Sequence, residues 1–215
     1  LNILVIGSHF DDEVLGVGGT IAKHISNGDN VHVLILTESS STQYPGNSDI
    51  AGRKTSEAKE ANQYLGSVLH IESFPDMKLD TIPQCELASC ISGYIDLIQP
   101  EIVYTHSKND LNKDHRMTYE ASMVACRPMS GVKKILCYEV LSSTEWGEGF
   151  KPNYYVELTQ EFFIIKTEAI RKYTAELRAS PHPRSLVSIM NLMIQRGFNI
   201  CVDYAEAFEL VREVE

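Results

Sequence analysis

"NILVIGSHFDDEVLGVGGTIAKHISNGDNVHVLILT", residues 2 to 37, decides the fold of this chain. It opens on the short apolar run "NILVIG" (2 to 7) and continues with apolar residues at helical spacing over 13 to 28, stopping on Gly28. It ends on a second strand-like run, "VHVLILT" (31 to 37). Strand, helix and strand in that order form a β-α-β unit. The alternation continues downstream: a Ser/Thr/Gly/Pro/Asn-rich loop over 38 to 49, long enough to act as a flap, then a helix over 53 to 66. A strand follows at 68 to 74, a helix at 83 to 99, a strand at 101 to 106, a helix at 115 to 126 and a strand at 133 to 140. Strands rich in Ile, Val and Leu between helices predict an α/β fold: a Rossmann-like, mostly parallel β-sheet with helices on both faces. Ligands of such sheets sit at the carboxyl ends of the strands. Past residue 141 the pattern loosens into a strand at 153 to 158 and helices near 160 to 177, 184 to 197 and 203 to 213. The expectation is one domain over 1 to 215, with a core at 1 to 141 and a C-terminal appendage at 142 to 215 that closes over the sheet edge.

The turn after the first strand places His9, Asp11, Asp12 and Glu13 in five positions, poor material for a core and good material for a metal. His9 and Asp12 stand three residues apart, which on a helical turn puts both on one side. A catalytic zinc takes three protein ligands of His and carboxylate type and keeps one position for water, so a third ligand must come from elsewhere. "THSKNDLNKDHRMTYEA" (105 to 121) also follows a strand, and brings His106, Asp110, Asp114 and His115 to the same sheet edge. A plainer account competes at single positions, since Asp12, Asp114 or Asn112 could each cap the helix that follows. Capping does not explain why His9, Asp11 and Asp12 cluster, nor why His115 stands beside Asp114. The glycines of "GVGGT" (16 to 20) lie too far past the strand for a dinucleotide fingerprint and are read as close helix packing.

The segment "GSHFDDEVLGVGGTIAK" resembles the first motif, H-P-D-D-E, of the LmbE-like and PIG-L family of metal-dependent N-deacetylases, and "NDLNKDHR" resembles its second. The likeness extends to "RKTSEAKEANQYLG" (53 to 66), "FPDMKLD" (74 to 80), "PRS" (183 to 185) and "AEAF" (205 to 208), nearly the whole chain. The resemblance implies zinc-dependent hydrolysis of an N-acetyl group from an amino sugar or its conjugate. It implies His9, Asp12 and His115 as metal ligands, Asp11 as the general base for water activated by the ion, and Arg53 as a partner for the substrate or the departing acetate. Two histidines and one carboxylate also suit Fe2+. The chain departs from the family pattern at two positions. Phe10 replaces the proline, and Asn112 stands where many members carry a histidine that assists the oxyanion or the leaving amine. Asn112 can donate a hydrogen bond to substrate but cannot act as an acid. His106 or His182 is expected to take that part, oriented by an aspartate such as Asp110 or Asp114. The competing expectations are hydrolysis of another amide and a noncatalytic Rossmann-like binding module.

With 215 residues, 43% hydrophobic and 22% charged, the chain can bury a sizeable core. A formal charge of −10 makes nucleic acid or an anionic membrane an improbable partner. No apolar run approaches the ~20 residues of a membrane span, and the first residues read as a strand rather than a signal peptide. Five cysteines without C-x-x-C spacing read as reduced thiols of a cytoplasmic protein. The expected partner is a small N-acetylated sugar. A homo-oligomer is compatible too, because an apolar helix face looks the same inside a subunit and between two.

Overall fold

The computed structural model describes residues 1–215. One seven-stranded sheet runs in the order β3-β2-β1-β4-β5-β7-β6, built from β1 (Asn2–Gly7), β2 (Asn30–Thr37), β3 (Val68–Phe74), β4 (Ile102–His106), β5 (Lys134–Tyr138), β6 (Tyr154–Leu158) and β7 (Tyr204–Glu213). Strands β1 to β5 run parallel to one another. The helices are α1 (Asp12–Ser26), α2 (Ser48–Leu65), α3 (Gln84–Ile98), α4 (Lys113–Ala125), α5 (Gln160–Ile170) and α6 (Leu186–Phe198).

The central strands are apolar at successive positions because both of their faces are covered. Ile3 and Val5 enter one core with Ala58 and Ala61 of α2 and Ile170 of α5, while Leu4 and Ile6 enter the other with Leu87 and Ile91 of α3 and Ala121 of α4. Helix α1 lies close against the sheet, and its glycines make that approach possible: a Cβ on Gly16 would stand 2.2 Å from the Tyr138 ring, and one on Gly19 2.5 Å from Leu158. The packing explanation of "GVGGT" therefore holds.

The C-terminal part differs from the sequence reading. The helix expected over 203 to 213 is β7, antiparallel to both β5 and β6. "YAEAFELVRE" is rich in good helix formers, but without it β5 would end the sheet as an unpaired edge, and tertiary pairing outweighs propensity. The tail thus extends the sheet in its own plane. Helix α5 stops at Ile170 instead of 177, and the turn after it carries Tyr173 and Glu176 inward. Helix α2 starts at Ser48, earlier than expected, because the Asn47 side chain accepts the Ile50 N–H as a cap.

Strand β1 pairs with β2 on one side and β4 on the other. The connections after β1 and β4 therefore leave in opposite directions and open a crevice at the carboxyl ends of these two strands, the switch point where doubly wound sheets bind ligands.

Candidate active site

Both motifs open onto that crevice. After β1 the chain turns through Ser8 to Asp11, and Asp11 has φ 96°, a left-handed conformation that costs a non-glycine residue energy. Asp11 occupies the N-cap position of α1 but makes no side-chain capping bond. The Asp12 carboxylate reaches back and accepts the N–H of His9 at 2.7 Å and of Ser8 at 3.2 Å, which ties the turn to the helix. Asn112 is the residue that does cap, accepting the Asp114 N–H at 2.9 Å.

Three donor groups converge. His9 Nδ1 and His115 Nε2 are 3.3 Å apart, His9 Nδ1 and Asp12 Oδ2 3.4 Å, and His115 Nε2 and Asp12 Oδ1 3.4 Å. Ligands of a tetrahedral zinc at about 2.0–2.1 Å stand about 3.3 Å from one another, so these atoms have the spacing of one face of a zinc polyhedron. The ring of His115 is turned by Asp110, whose Oδ2 lies 3.1 Å from His115 Nδ1 and whose own oxygens accept the hydroxyls of Ser143 and Thr144. A carboxylate behind a histidine fixes its tautomer and raises its basicity toward a metal. On the far side of His9, Nε2 faces Asp114 Oδ2 at 3.2 Å and Asp76 Oδ1 at 3.6 Å.

Burial and the facing charges set the titration of these groups. Burial alone would raise the pKa of Asp12, but His115 and His106 outweigh it and hold this carboxyl well below the usual range. Burial would lower His9, yet its hydrogen bonds to Asp114 and Asp12 lift it to about 10. Asp110 is held at about 2, against the effect of burial, by His115, Ser143 and Thr144. The two imidazoles face these carboxylates, and a divalent cation bound among them would compete with protons for the same nitrogens. The residues fit a metal.

Asp11 stands at the edge of the triad with its two oxygens in different settings. Oδ2 pairs with Arg184 Nη1 at 3.1 Å, while Oδ1 is buried without a partner. Burial raises its pKa well above the usual range and Arg184 opposes that rise. Arg184 is held in turn by Glu176 at 3.1 Å and by Ser142 Oγ at 2.8 Å. Glu176 also takes the ammonium of Lys54 at 2.8 Å.

Several residues singled out in the sequence sit elsewhere than expected. His106 is fully buried beneath the triad, stacked on His115 with ring centroids 3.9 Å apart. Its Nε2 accepts the Ser8 N–H at 3.0 Å and lies 3.3 Å from Asp12 Oδ2, and burial together with His115 lowers its pKa to about 4. Neither Asp110 nor Asp114 orients it, contrary to expectation: Asp110 serves His115, and Asp114 serves His9 while accepting the Leu79 N–H at 3.0 Å. His182 is exposed, its Nδ1 accepting the Arg184 N–H at 3.0 Å, and it is Arg184 of the same stretch that enters the site. Arg53 points away, to Glu57 Oε1 at 2.9 Å and Thr174 Oγ1 at 2.5 Å, with its side chain 59% exposed. The next residue, Lys54, is the buried cation on this helix. Asp76, Lys54 and Arg184 are site residues that sequence reasoning missed. Asp76 carries a legible signal, an acid immediately past a parallel strand in "FPD", whereas the other two depend on helix phase and on a contact spanning most of the chain.

Residues 4–126 match the family described as PIG-L: GlcNAc-PI de-N-acetylase. The uncharacterized deacetylase YaiS of Escherichia coli K12 is 32% identical over 181 residues, covering 80% of this chain and 89% of its own. Among solved structures, the N,N'-diacetylchitobiose deacetylase of Pyrococcus horikoshii superposes with a TM-score of 0.79 at 20% identity, over 98% of this chain and 84% of that one. The zinc-inhibited form of teicoplanin deacetylase Orf2 does so with a TM-score of 0.81 at 17% identity over 100% of both chains. At such identities the structural likeness establishes the fold, and the two sequence matches establish the lineage. This protein belongs to the PIG-L family, the LmbE-like de-N-acetylases.

Proposed function

We propose that this protein is a metal-dependent N-deacetylase that removes the acetyl group from an N-acetylated amino sugar or sugar conjugate. One observation carries the reading: three donor atoms at the mutual spacing of metal ligands lie beside a carboxylate oxygen that nothing in the protein satisfies. His9, Asp12 and His115 would hold the ion, zinc by preference and Fe2+ by the same donor set. When bound, a divalent ion supplies Lewis acidity, lowering the pKa of water and polarising the acetamide carbonyl. Asp11 accepts the proton of the attacking water on its free Oδ1 and carries it toward the departing amine, while Arg184 keeps the carboxylate turned to the site. Asp110 and Asp114 fix the rings of His115 and His9. His106 supports Asp12 from below rather than exchanging protons with substrate. The Asn112 amide nitrogen donates to Met77 Sδ at 3.7 Å, and its second N–H can donate to a substrate oxygen. No helix is long and apolar enough to cross a membrane.

The decisive experiment measures acetate released from N-acetylglucosamine and N,N'-diacetylchitobiose by protein reconstituted with zinc, next to chelated protein and a His9→Ala/His115→Ala double variant. Release that requires the ion and is lost in the variant supports the reading. Stoichiometric metal with no acetate from either sugar would redirect it to a different amide.

A further inference from the structure

A row of buried charges joins Asp11 to helix α2 and to the turn after α5, which carry none of the metal-binding residues. Arg184 meets two carboxylates with one atom: its Nη1 lies 3.1 Å from Asp11 Oδ2 and 3.1 Å from Glu176 Oε2. The other oxygen of Glu176 takes the ammonium of Lys54 at 2.8 Å. The signs therefore alternate along Lys54, Glu176, Arg184 and Asp11. Lys54, Glu176 and Asp11 are buried and the Arg184 side chain is 20% exposed, so water screens little of what one charge does to the next.

The shared nitrogen makes Arg184 sensitive to what else each carboxylate holds. Asp11 has no other cation, and its Oδ1 has no partner at all. Glu176 has a second cation in Lys54. Without Lys54, the whole charge of Glu176 would fall on Arg184, and the pull on Nη1 would turn away from Asp11. Neutralising Glu176 alone does not require Lys54, because Arg184 is already there. A buried lysine is also costly to desolvate, and an apolar side chain would fill its place on α2 at lower cost. A second path leads from Lys54 to the same turn: its ammonium donates to the Ser39 carbonyl, and Ser39 Oγ accepts the Phe10 N–H at 2.9 Å. The two paths differ in whether Glu176 is needed.

We infer that Lys54 is a positioning residue for the general base: by holding Glu176, it leaves Arg184 to keep Asp11 turned to the site. Helix α2 then serves the reaction through buried Lys54 rather than through exposed Arg53. The inference rests on the deacetylase reading for its effect on turnover, while the position of Arg184 can be observed without turnover.

The test uses zinc-loaded protein and acetate release from N,N'-diacetylchitobiose. Lys54→Met should lower kcat about 10- to 100-fold with KM within about threefold, the pattern of a misplaced catalytic group, and Lys54→Arg should keep most of the activity. Adding Glu176→Gln to Lys54→Met removes the competing carboxylate and should restore kcat to within about fivefold of wild type. Two substitutions that merely loosen the fold would instead compound. If Lys54→Met does not fold, Lys54→Gln, which keeps a donor for the Ser39 carbonyl, is judged by the same criteria. A kcat indifferent to the loss of Lys54 overturns the inference, and so does a double variant no faster than the single one, which would route the effect through Ser39. In a crystal structure of the Lys54 variant, Arg184 Nη1 should remain on Glu176 and stand beyond hydrogen-bond distance of Asp11 Oδ2; an unmoved Arg184 overturns the inference. Wild-type protein that releases no acetate would overturn the deacetylase reading, and that crystal structure would still decide the role of Lys54.

Discussion

Asp11 has one oxygen tied to Arg184 and one left free, and that division sets its expected behaviour. Asp11→Asn keeps the volume and removes the proton acceptor. The expected result is a kcat lowered about 10²- to 10⁴-fold with metal content unchanged, read from acetate release and elemental analysis of the same preparation. Asp110→Ala should act differently, weakening metal binding about 10- to 100-fold because His115 loses the partner that turns its ring, and a chelator competition would measure it. At this scale the sequence was partly legible. Because both segments follow parallel strands whose ends share one sheet edge, His9 and Asp12 could be gathered with His106, Asp110, Asp114 and His115, and the family resemblance singled out His115 among these. Which aspartate serves which histidine was not legible, since Asp110 and Asp114 both precede His115 in one loop-to-helix segment and only the path of that loop separates their directions.

Among elements, α1 and the loop after β2 show how sequence patterns acquire meaning from what packs on them. Gly16→Ala places a methyl group inside the Tyr138 ring and should cost about 1–3 kcal/mol, measured as a lower urea midpoint at unchanged slope. In the loop, Glu38 accepts the N–H groups of Ser40, Ser41 and Asp76 and the Ser40 hydroxyl. Burial opposes ionisation, but these bonds prevail and bring its pKa from 4.5 to about 2. A carboxyl depressed on folding contributes stability above its unfolded pKa and loses it as pH falls through the folded one. The stability difference between wild type and Glu38→Gln should therefore be full above about pH 4.5 and shrink toward pH 2, and denaturant titrations across that range would test it. Periodicity revealed the helices of the first half well. It failed for β7, where Ala, Glu and Leu suggest a helix and an open sheet edge dictates a strand. Phase also decides between Arg53 and Lys54, adjacent residues on one helix of which only the second turns inward.

For the molecule as a whole, the C-terminal segment beyond the family match at 4–126 supplies Tyr173, Glu176 and Arg184 around Asp11, and Glu206 beneath α1. These contacts span so much sequence that no local pattern announces them. Glu206 pairs with buried Lys166 at 2.6 Å and accepts the N–H groups of Gly19 and Thr20. Removing one member of such a pair strands the other, so Lys166→Met should cost about 3–5 kcal/mol, and adding Glu206→Gln should recover part of the loss in a double-mutant cycle. Metal binding should also be visible globally: at zinc about 1,000-fold above its Kd the folded state gains about 4 kcal/mol, a rise in Tm that chelation reverses.

The left-handed backbone at Asp11 has a further consequence for engineering. A glycine would relax that conformation, and Arg184 would keep Glu176 as its partner, so Asp11→Gly should fold at least as well as wild type while releasing no acetate. A library of variants sorted for thermal tolerance alone would thus drift toward an inert protein at this position, and any such campaign has to select for turnover at the same time.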